Sequence, residues 1–173
     1  MNVLGLSLCL ALVLSATAAV DLEWVTVGDI SNPADPLTGH GAVDHAYKIG
    51  KFEVTNGQYA EFLNTVDPGG TNAYALYSTG MANATYGGIT SNVGAPAGSK
   101  YETVGGRENK PVNYVSWFSA ARMANWIHNG RGSGSTETGA YTLNGARTGI
   151  VRVEPGATVW IPSEDEWYKA AYY

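Results

Sequence analysis

The sequence has little cysteine, few basic residues and no long hydrophobic run after its N-terminus. Its 173 residues include one cysteine, Cys9, and 10 lysines and arginines against 15 aspartates and glutamates. The net charge of −5 argues against a nucleic-acid partner, which requires a basic surface. No later segment approaches the length of a membrane-spanning helix, so we expect no membrane span in the mature chain.

The N-terminal segment predicts export. Residues 3–16 form a largely apolar run, and residues 16–19 (ATAA) have the small side chains of a signal-peptidase site. Because a positively charged start is missing, a buried N-terminal strand or helix is the alternative interpretation. We expect a signal peptide, residues 1–18 or 1–19, and a secreted or periplasmic domain over residues 20–173. Losing Cys9 would exclude disulfides, cysteine nucleophiles and thiolate metal sites.

Three helices are predicted from their capping signals. Thr55 and Gln58 form a capping box, and so do Ser163 and Glu166, while Ser116 is an N-cap for a helix over residues 117–129. The residues expected on the buried faces are Tyr59, Phe62, Leu63 and Val66 in the first helix, Trp117, Ala121, Ala124 and Ile127 in the second, and Trp167, Ala170 and Ala171 in the third.

The remaining patterns predict short strands and a long loop. Strands are expected over residues 22–27, 47–54, 151–153 and 159–161, with another near residue 141 that enters an Asn-Gly turn. Residues 69–110 are rich in glycine, asparagine and tyrosine and lack periodicity. We interpret them as a surface loop held down by tyrosines; a paratope-like binding surface is the alternative.

Three motifs carry a family resemblance. Residues 51–59 (KFEVTNGQY) resemble K-Y-E-V-T-N-x-Q-Y, residues 111–117 (PVNYVSW) resemble P-V-x-x-V-S-W, and residues 160–171 (WIPSEDEWYKAA) resemble R-L-P-T-E-A-E-W-E-x-A-A. These patterns belong to the formylglycine-generating, sulfatase-modifying-factor family, and three matches in order are far more specific than one. The resemblance implies an α+β, C-type-lectin-like fold with short helices, short strands and much irregular structure. The matching positions, mostly structural, are Glu53, Thr55, Asn56, Tyr59, Pro111, Val112, Trp117, Trp126, Pro162, Ser163, Glu166 and Trp167.

The same resemblance limits what is expected of the chemistry. Founding members are copper-dependent oxidases that convert a sulfatase cysteine to formylglycine, and their copper-binding cysteines and calcium ligands lie downstream of the third motif. We therefore expect residues 20–173 to be the N-terminal portion of a longer domain, with no catalytic, cofactor-binding or metal residue transferable to it. The protein would bind copper or calcium only if a C-terminal half supplies the ligands. Within the motifs, Trp160 replaces arginine and Ser163 replaces threonine.

Other polar residues have structural interpretations beside functional ones. We expect a hydrogen-bonding role for Glu53, and capping and helix-dipole roles for the carboxylates of residues 164–166. His40 and His45, with Asp44 beside them, suggest a metal-site hypothesis, although their spacing matches no established ligand motif. Trp117, Trp126 and Trp167 are interpreted as core anchors, with pocket lining as the alternative.

Two functions follow from these observations. The first is an exported sulfatase-modifying-factor domain that, without cysteine, is inactive as an oxidase by itself. The alternative is a non-catalytic module that binds an exported protein or a glycan on the lectin-like scaffold.

Overall fold

The computed structural model describes residues 21–173, and the predicted signal peptide lies outside them. These residues form an α+β domain, as expected, with short antiparallel strands and three α-helices. In chain order the elements are β1 (Trp24–Val27), β2 (Tyr47–Gly50), α1 (Asn56–Val66), a 3₁₀ helix (Thr79–Ala82), β3 (Ile89–Ser91), β4 (Tyr101–Thr103), α2 (Trp117–His128) and α3 (Glu164–Tyr172).

The strands form two separate antiparallel pairs. β1 pairs with β2, so that Trp24 lies opposite Gly50 and Val27 lies opposite Tyr47. β3 pairs with β4 inside the segment predicted to be a loop, where strands of three residues are too short to show an alternating pattern. β2 ends at Gly50, four residues before the predicted end.

The strands predicted near residue 141, over 151–153 and over 159–161 are wrong. All three stretches are irregular, although the Asn-Gly turn at residues 144 and 145 is present, with positive φ at both residues. Several of their apolar side chains pack against a small cluster built on the alanines of α2. The three stretches are apolar because they cover a face of α2, and not because they pair in a sheet.

Helix α1 forms as its sequence predicts. Thr55 accepts a hydrogen bond from the Gln58 amide at 3.3 Å, and the Gln58 side chain accepts one from the Thr55 amide at 2.9 Å. Tyr59, Phe62 and Leu63 are buried, while Val66 packs at the edge of the same cluster. The cluster is completed by side chains from the 3₁₀ helix, β3, β4 and α2, so α1 is its central element.

Helix α2 separates the two hydrophobic clusters. Met123 and Trp126 pack in the cluster of α1, whereas Ala121 and Ala124 pack against Ala140, Tyr141 and Leu143. Trp126 is buried, as predicted. Trp117 is 42% exposed, so its interpretation as a core anchor is wrong. It lies in the first turn, where its indole makes edge contacts with Phe118 and Tyr141 at the rim of the second cluster.

Helix α3 has the predicted cap but the opposite orientation. Trp167, which is 52% exposed, and Ala170 and Ala171 face solvent, while Glu166 and Lys169 are buried. The polar side is held by the segment before β2 and by β2 itself: Lys169 donates to the Asp29 carbonyl at 2.6 Å, and the Tyr47 hydroxyl donates to the Glu166 carbonyl. The prediction failed because specific polar partners outweighed the apolar stripe in orienting this short helix.

Candidate functional site

The first two motifs form a structural junction. Thr55 and Pro111 make an isolated antiparallel bridge, and the Val112 amide donates to the Val54 carbonyl at 2.9 Å. Asn56 is buried, and its side-chain amide donates to the Arg107 carbonyl at 2.9 Å. These motif positions therefore join the start of α1 to the segment that leads into α2.

The third motif lies beside a cleft of about 650 Å³. The cleft runs along β2, and β1 contributes Trp24 and Thr26. Its other wall comes from the end of α2 and from the segment that precedes α3. The complete lining is Trp24, Thr26, Ala46, Tyr47, Lys48, Ile49, Gly50, Ile127, Arg131, Thr158, Val159, Trp160, Pro162 and Glu166.

Glu166 is the carboxylate of the cleft, and it is only 5% exposed. One oxygen accepts from the Ser163 amide at 2.7 Å, completing the capping box, and the other lies 2.9 Å from Nε2 of His45. The indole of Trp160 donates to both oxygens at 3.2–3.3 Å. Burial acts to raise the pKa of Glu166, but the Ser163, His45 and Trp160 hydrogen bonds outweigh it, so the pKa lies below its usual value.

His45 lies between two carboxylates. Its Nδ1 is 2.9 Å from Asp44, and its Nε2 is 2.9 Å from Glu166. Hydrogen bonds with Asp44 and then with Glu166 raise the pKa of His45, since both favour the imidazolium. The sequence predicted the capping role of Glu166, but it carried no signal for this second role across 121 residues of chain.

His40 contacts the two other carboxylates of the α3 first turn. Its ring nitrogens lie 3.6 Å from Glu164 and 3.7 Å from Asp165, and Asp165 also accepts from the Gly41 amide at 2.8 Å. His40 and His45 therefore each face their own carboxylates, and the metal-site hypothesis stays a prediction. Within residues 21–173, no group of three or more His, Cys, Asp or Glu side chains is arranged to hold a metal ion.

The Glu166 carboxylate and the Ser163 hydroxyl beside the cleft already hydrogen-bond within the protein. Both oxygens of Glu166 already accept hydrogen bonds, and the Ser163 hydroxyl accepts from the Glu166 amide at 3.1 Å. The rest of the lining consists of two indoles, one tyrosine, two threonines, aliphatic side chains, a glycine and two basic residues. Mostly apolar walls with a few placed polar groups are typical of ligand pockets. Trp160, which replaces the family arginine, thus both lines the cleft and holds its carboxylate.

The remaining motif residues lie outside the cleft. Tyr59 is buried and donates to the Leu76 carbonyl at 2.8 Å, and burial raises the pKa of its hydroxyl. Glu53 is exposed, and its side chain makes no hydrogen bond among residues 21–173, so the role expected for it stays a prediction. Trp167 is on the surface, and neither it nor Trp117 lines the cleft.

The tyrosine-rich segment is tied down by some of its tyrosines. Tyr101 donates to Asp67 at 2.5 Å, and Tyr77 donates to the Ile89 carbonyl at 3.3 Å. Tyr74 and Tyr86 are exposed. The structure therefore supports the interpretation of this segment as a pinned surface loop, although it also contains the β3–β4 hairpin.

Sequence reasoning missed two buried polar side chains of α2. Arg122 is 0% exposed and pairs with Glu137 through contacts of 2.6 and 3.0 Å. Asn125 is also buried; its carbonyl accepts from the Tyr141 amide at 2.7 Å, and its amide donates to the Thr136 carbonyl at 2.8 Å. The sequence did carry a signal for them. Arg122 and Asn125 each stand one helical turn after an apolar residue, Phe118 and Ala121, and so lie within the apolar stripe of the helix.

The comparisons with known proteins agree with the three motifs. A family model described as the sulfatase-modifying factor enzyme 1-like domain matches residues 24–172, which is most of the chain. The protein therefore belongs to the sulfatase-modifying factor family, and the resemblance is confirmed. No curated protein and no solved structure showed significant similarity to the chain. Over residues 21–173, no helix is both long enough and apolar enough to cross a membrane.

Proposed function

We propose that this protein is an exported sulfatase-modifying-factor domain with a C-type-lectin-like fold, and that residues 20–173 alone have no formylglycine-generating activity. The observation that carries this proposal is the cysteine count. Cys9 is the one cysteine of the sequence and lies in the predicted signal peptide. Copper-thiolate chemistry requires deprotonated cysteine ligands, and residues 20–173 contain none.

The test is a direct assay of the exported protein. A sulfatase peptide containing the target cysteine is incubated with the purified chain and copper, and its mass is measured. We expect unmodified peptide, whereas an active formylglycine-generating enzyme run in parallel should modify it. Formylglycine formed by this chain would overturn the proposal. The mass of the exported protein tests the cleavage after Ala18 or Ala19.

The cleft favours a second function, which is non-catalytic binding of a partner. Trp24 and Trp160 give it two amphipathic aromatic walls, and the Glu166 carboxylate at its edge is fully engaged by the protein itself. Large aromatic side chains supply much of the binding energy at recognition surfaces. An exported protein or a glycan is the class of partner that we expect.

This function is tested with matched tryptophan variants. The chain is screened against glycan and peptide arrays, and any hit is titrated against Trp24→Ala and Trp167→Ala. Both indoles are partly exposed, at 41% and 52%, but only Trp24 lines the cleft. We expect Trp24→Ala to weaken binding about tenfold or more, while Trp167→Ala binds as the wild type does. Absence of every array signal, or equal loss in both variants, would refute binding at the cleft.

A further inference from the structure

The chain contains three Asn-Gly dipeptides, at residues 56–57, 129–130 and 144–145. In this dipeptide the glycine nitrogen can attack the side-chain carbonyl carbon of the asparagine, because glycine has no side chain to obstruct the approach. A cyclic succinimide forms and ammonia leaves, and water then opens the ring to aspartate or isoaspartate. Asparagine is among the thermolabile residues of proteins. Since the reaction needs no enzyme, the structure around each dipeptide determines its rate.

The dipeptide at residues 56–57 is held at both reacting groups. Asn56 is buried in the first turn of α1, and its side-chain amide donates to the Arg107 carbonyl at 2.9 Å. The Gly57 amide, which is the attacking group, donates to the Glu108 carbonyl at 2.9 Å. Cyclisation here requires both hydrogen bonds to break and the first turn of the helix to open, so we expect it to be slow.

The dipeptide at residues 129–130 follows the end of α2 and is held in the same way. The Asn129 side-chain amide donates to the Thr138 carbonyl at 2.8 Å. The Gly130 amide donates to the Ile127 carbonyl at 3.1 Å. Backbone carbonyls thus engage both the attacking nitrogen and the side chain that it would attack, although Asn129 is exposed.

The dipeptide at residues 144–145 forms the centre of a tight turn outside the helices. Asn144 and Gly145 both have positive φ, 48° and 80°. The Ala146 amide donates to the Leu143 carbonyl at 2.8 Å, which closes the type I′ turn that Asn-Gly favours. The Asn144 side chain is exposed, and the Gly145 amide donates to a carboxylate oxygen of Glu137 at 2.6 Å. The attacking nitrogen is therefore restrained here by a side-chain carboxylate and not by a backbone carbonyl.

The Arg122–Glu137 pair holds this turn in place. The Glu137 carbonyl accepts from the Leu143 amide at 2.8 Å. Arg122 donates to the Ala146 carbonyl at 3.0 Å. Burial acts to raise the pKa of Glu137, but hydrogen bonds from Arg122 and from the Gly145 amide outweigh it, and the pKa lies below its usual value. A carboxylate of such low basicity keeps the Gly145 proton in a hydrogen bond and does not remove it.

We propose that Asn144 is a deamidation site and that Glu137 limits its reaction by holding the Gly145 amide. While this hydrogen bond is intact, the nitrogen keeps its proton and cannot attack. Once the bond opens, hydroxide takes the proton and the nitrogen bonds to Cγ of Asn144. The bond from Cγ to Nδ2 then breaks, and Nδ2 takes up a proton and leaves as ammonia. Addition of water to the succinimide completes the exchange of the side-chain NH₂ for OH.

The product weakens the contact that restrained the reaction. Aspartate or isoaspartate at position 144 adds a carboxylate to the turn that Glu137 holds, and like charges near each other repel. Isoaspartate also inserts a methylene into the main chain before Gly145, which displaces the amide from Glu137. Deamidation should therefore loosen the turn and lower the stability of the domain.

The experiment uses the intact chain and follows all three dipeptides at once. The protein is incubated at mildly alkaline pH in heavy-oxygen water and digested at intervals, and the Asn-Gly peptides are quantified by mass spectrometry. The incorporated isotope separates reaction in the protein from reaction during digestion. In urea we expect similar rates, because the dipeptide is the same at each position. In buffer we expect Asn144 to react about tenfold or more faster than Asn56 and Asn129, whose reacting groups are both held.

Glu137→Ala tests the control of the rate directly. It removes the acceptor of the Gly145 amide, and we expect deamidation of Asn144 to become about tenfold faster. The rates at Asn56 and Asn129 should stay unchanged. These two dipeptides also report unfolding, because loss of the whole structure would accelerate all three.

A second variant covers the case in which Glu137→Ala unfolds. Arg122→Met/Glu137→Gln leaves no buried charge unpaired and replaces the carboxylate acceptor by an amide oxygen, which binds the Gly145 amide more weakly. We expect a smaller rise in rate at Asn144 alone. Hydrogen exchange of the Gly145 amide in the wild type needs no variant, and we expect this amide to be protected.

Three results would overturn the proposal. If Asn144 reacts no faster than Asn56 and Asn129 in the folded wild type, it is not the deamidation site that the structure favours. If the Asn144 rate is unchanged in a folded variant of Glu137, the carboxylate does not control the reaction. If the Gly145 amide exchanges as fast as an unprotected amide, Glu137 does not hold it.

Discussion

The buried ion pair of α2 allows a quantitative prediction. Arg122 is fully buried, and besides Glu137 it donates to the carbonyls of Ala146 at 3.0 Å and Phe118 at 3.3 Å. Replacing it with methionine retains much of the packing volume but leaves the Glu137 carboxylate, 13% exposed, without its cation. Breaking a buried pair in this way costs about 3–5 kcal/mol in the free energy of unfolding.

An exposed pair of similar geometry is the matched control. Lys51 and Glu23 are also 2.6 Å apart, but their side chains are 47% and 58% exposed. Water and salt screen this pair, so we expect Lys51→Met to change the free energy of unfolding by less than about 1 kcal/mol. Because the two contact distances are equal, the difference between the stability losses of the two variants reports the effect of burial.

The measurement is urea unfolding followed by circular dichroism, together with thermal unfolding. A loss of about 3–5 kcal/mol corresponds to a melting temperature lower by roughly 6–20 °C for a domain of this size. Arg122→Met/Glu137→Gln should be more stable than Arg122→Met, because no charge is then left unpaired. A loss below about 1 kcal/mol for Arg122→Met, or equal losses for Arg122→Met and Lys51→Met, would refute the reasoning.

The pH dependence of this variant offers a second test. In the folded protein burial acts to raise the pKa of Glu137, but the Arg122 hydrogen bonds outweigh it and the pKa lies below its usual value. Without Arg122 the carboxyl should take up a proton more readily. The destabilisation should therefore shrink as the pH is lowered, and a cost that is independent of pH would contradict this explanation.

Two further predictions concern the junction of α1 and the first turn of α3. A Cβ on Gly88 would lie 2.1–2.6 Å from the Asn56 side chain, so Gly88→Ala should destabilise the fold by roughly 1–3 kcal/mol in urea unfolding, whereas Gly105→Ala, which meets nothing within 4 Å, should be nearly neutral. Equal effects would contradict the close packing. Because His45 has a raised pKa in the folded protein, its ion-pair stabilisation is present below its ordinary pKa and is lost as the pH rises through the raised value. Wild type should therefore lose more stability than His45→Gln between about pH 6 and pH 9, and parallel curves would show that the pair with Glu166 contributes nothing.

The capped helices could be predicted from the sequence because their signals are local. Thr55 with Gln58, Ser116, and Ser163 with Glu166 act within one turn, and each N-cap was found where it was predicted. The buried stripe of α1 was also predicted correctly, since a helix with a single apolar face removes that face from water by packing it against the core. The family followed from three short motifs for the same reason.

Prediction from the sequence failed where contacts between residues distant along the chain determine the structure. Asp29 and His45 bind polar groups of α3 and turn its Trp167 to solvent, and a polar stripe on α2 becomes buried because Glu137 reaches Arg122. The β3–β4 hairpin and the irregular path of residues 151–161 likewise depend on contacts with other segments of the chain, and not on a hydrophobic repeat in the local sequence.

The amino-acid sequence by itself determined the family, the helix starts and the core of α1, because capping and amphipathic periodicity are properties of residues four or fewer positions apart. Only the tertiary structure decided which side of α3 is buried, what Glu166 binds, and that a cleft lies between the β1–β2 pair and the segment before α3. Those outcomes depend on hydrogen bonds and burial between segments up to 140 residues apart, and no local pattern encodes them.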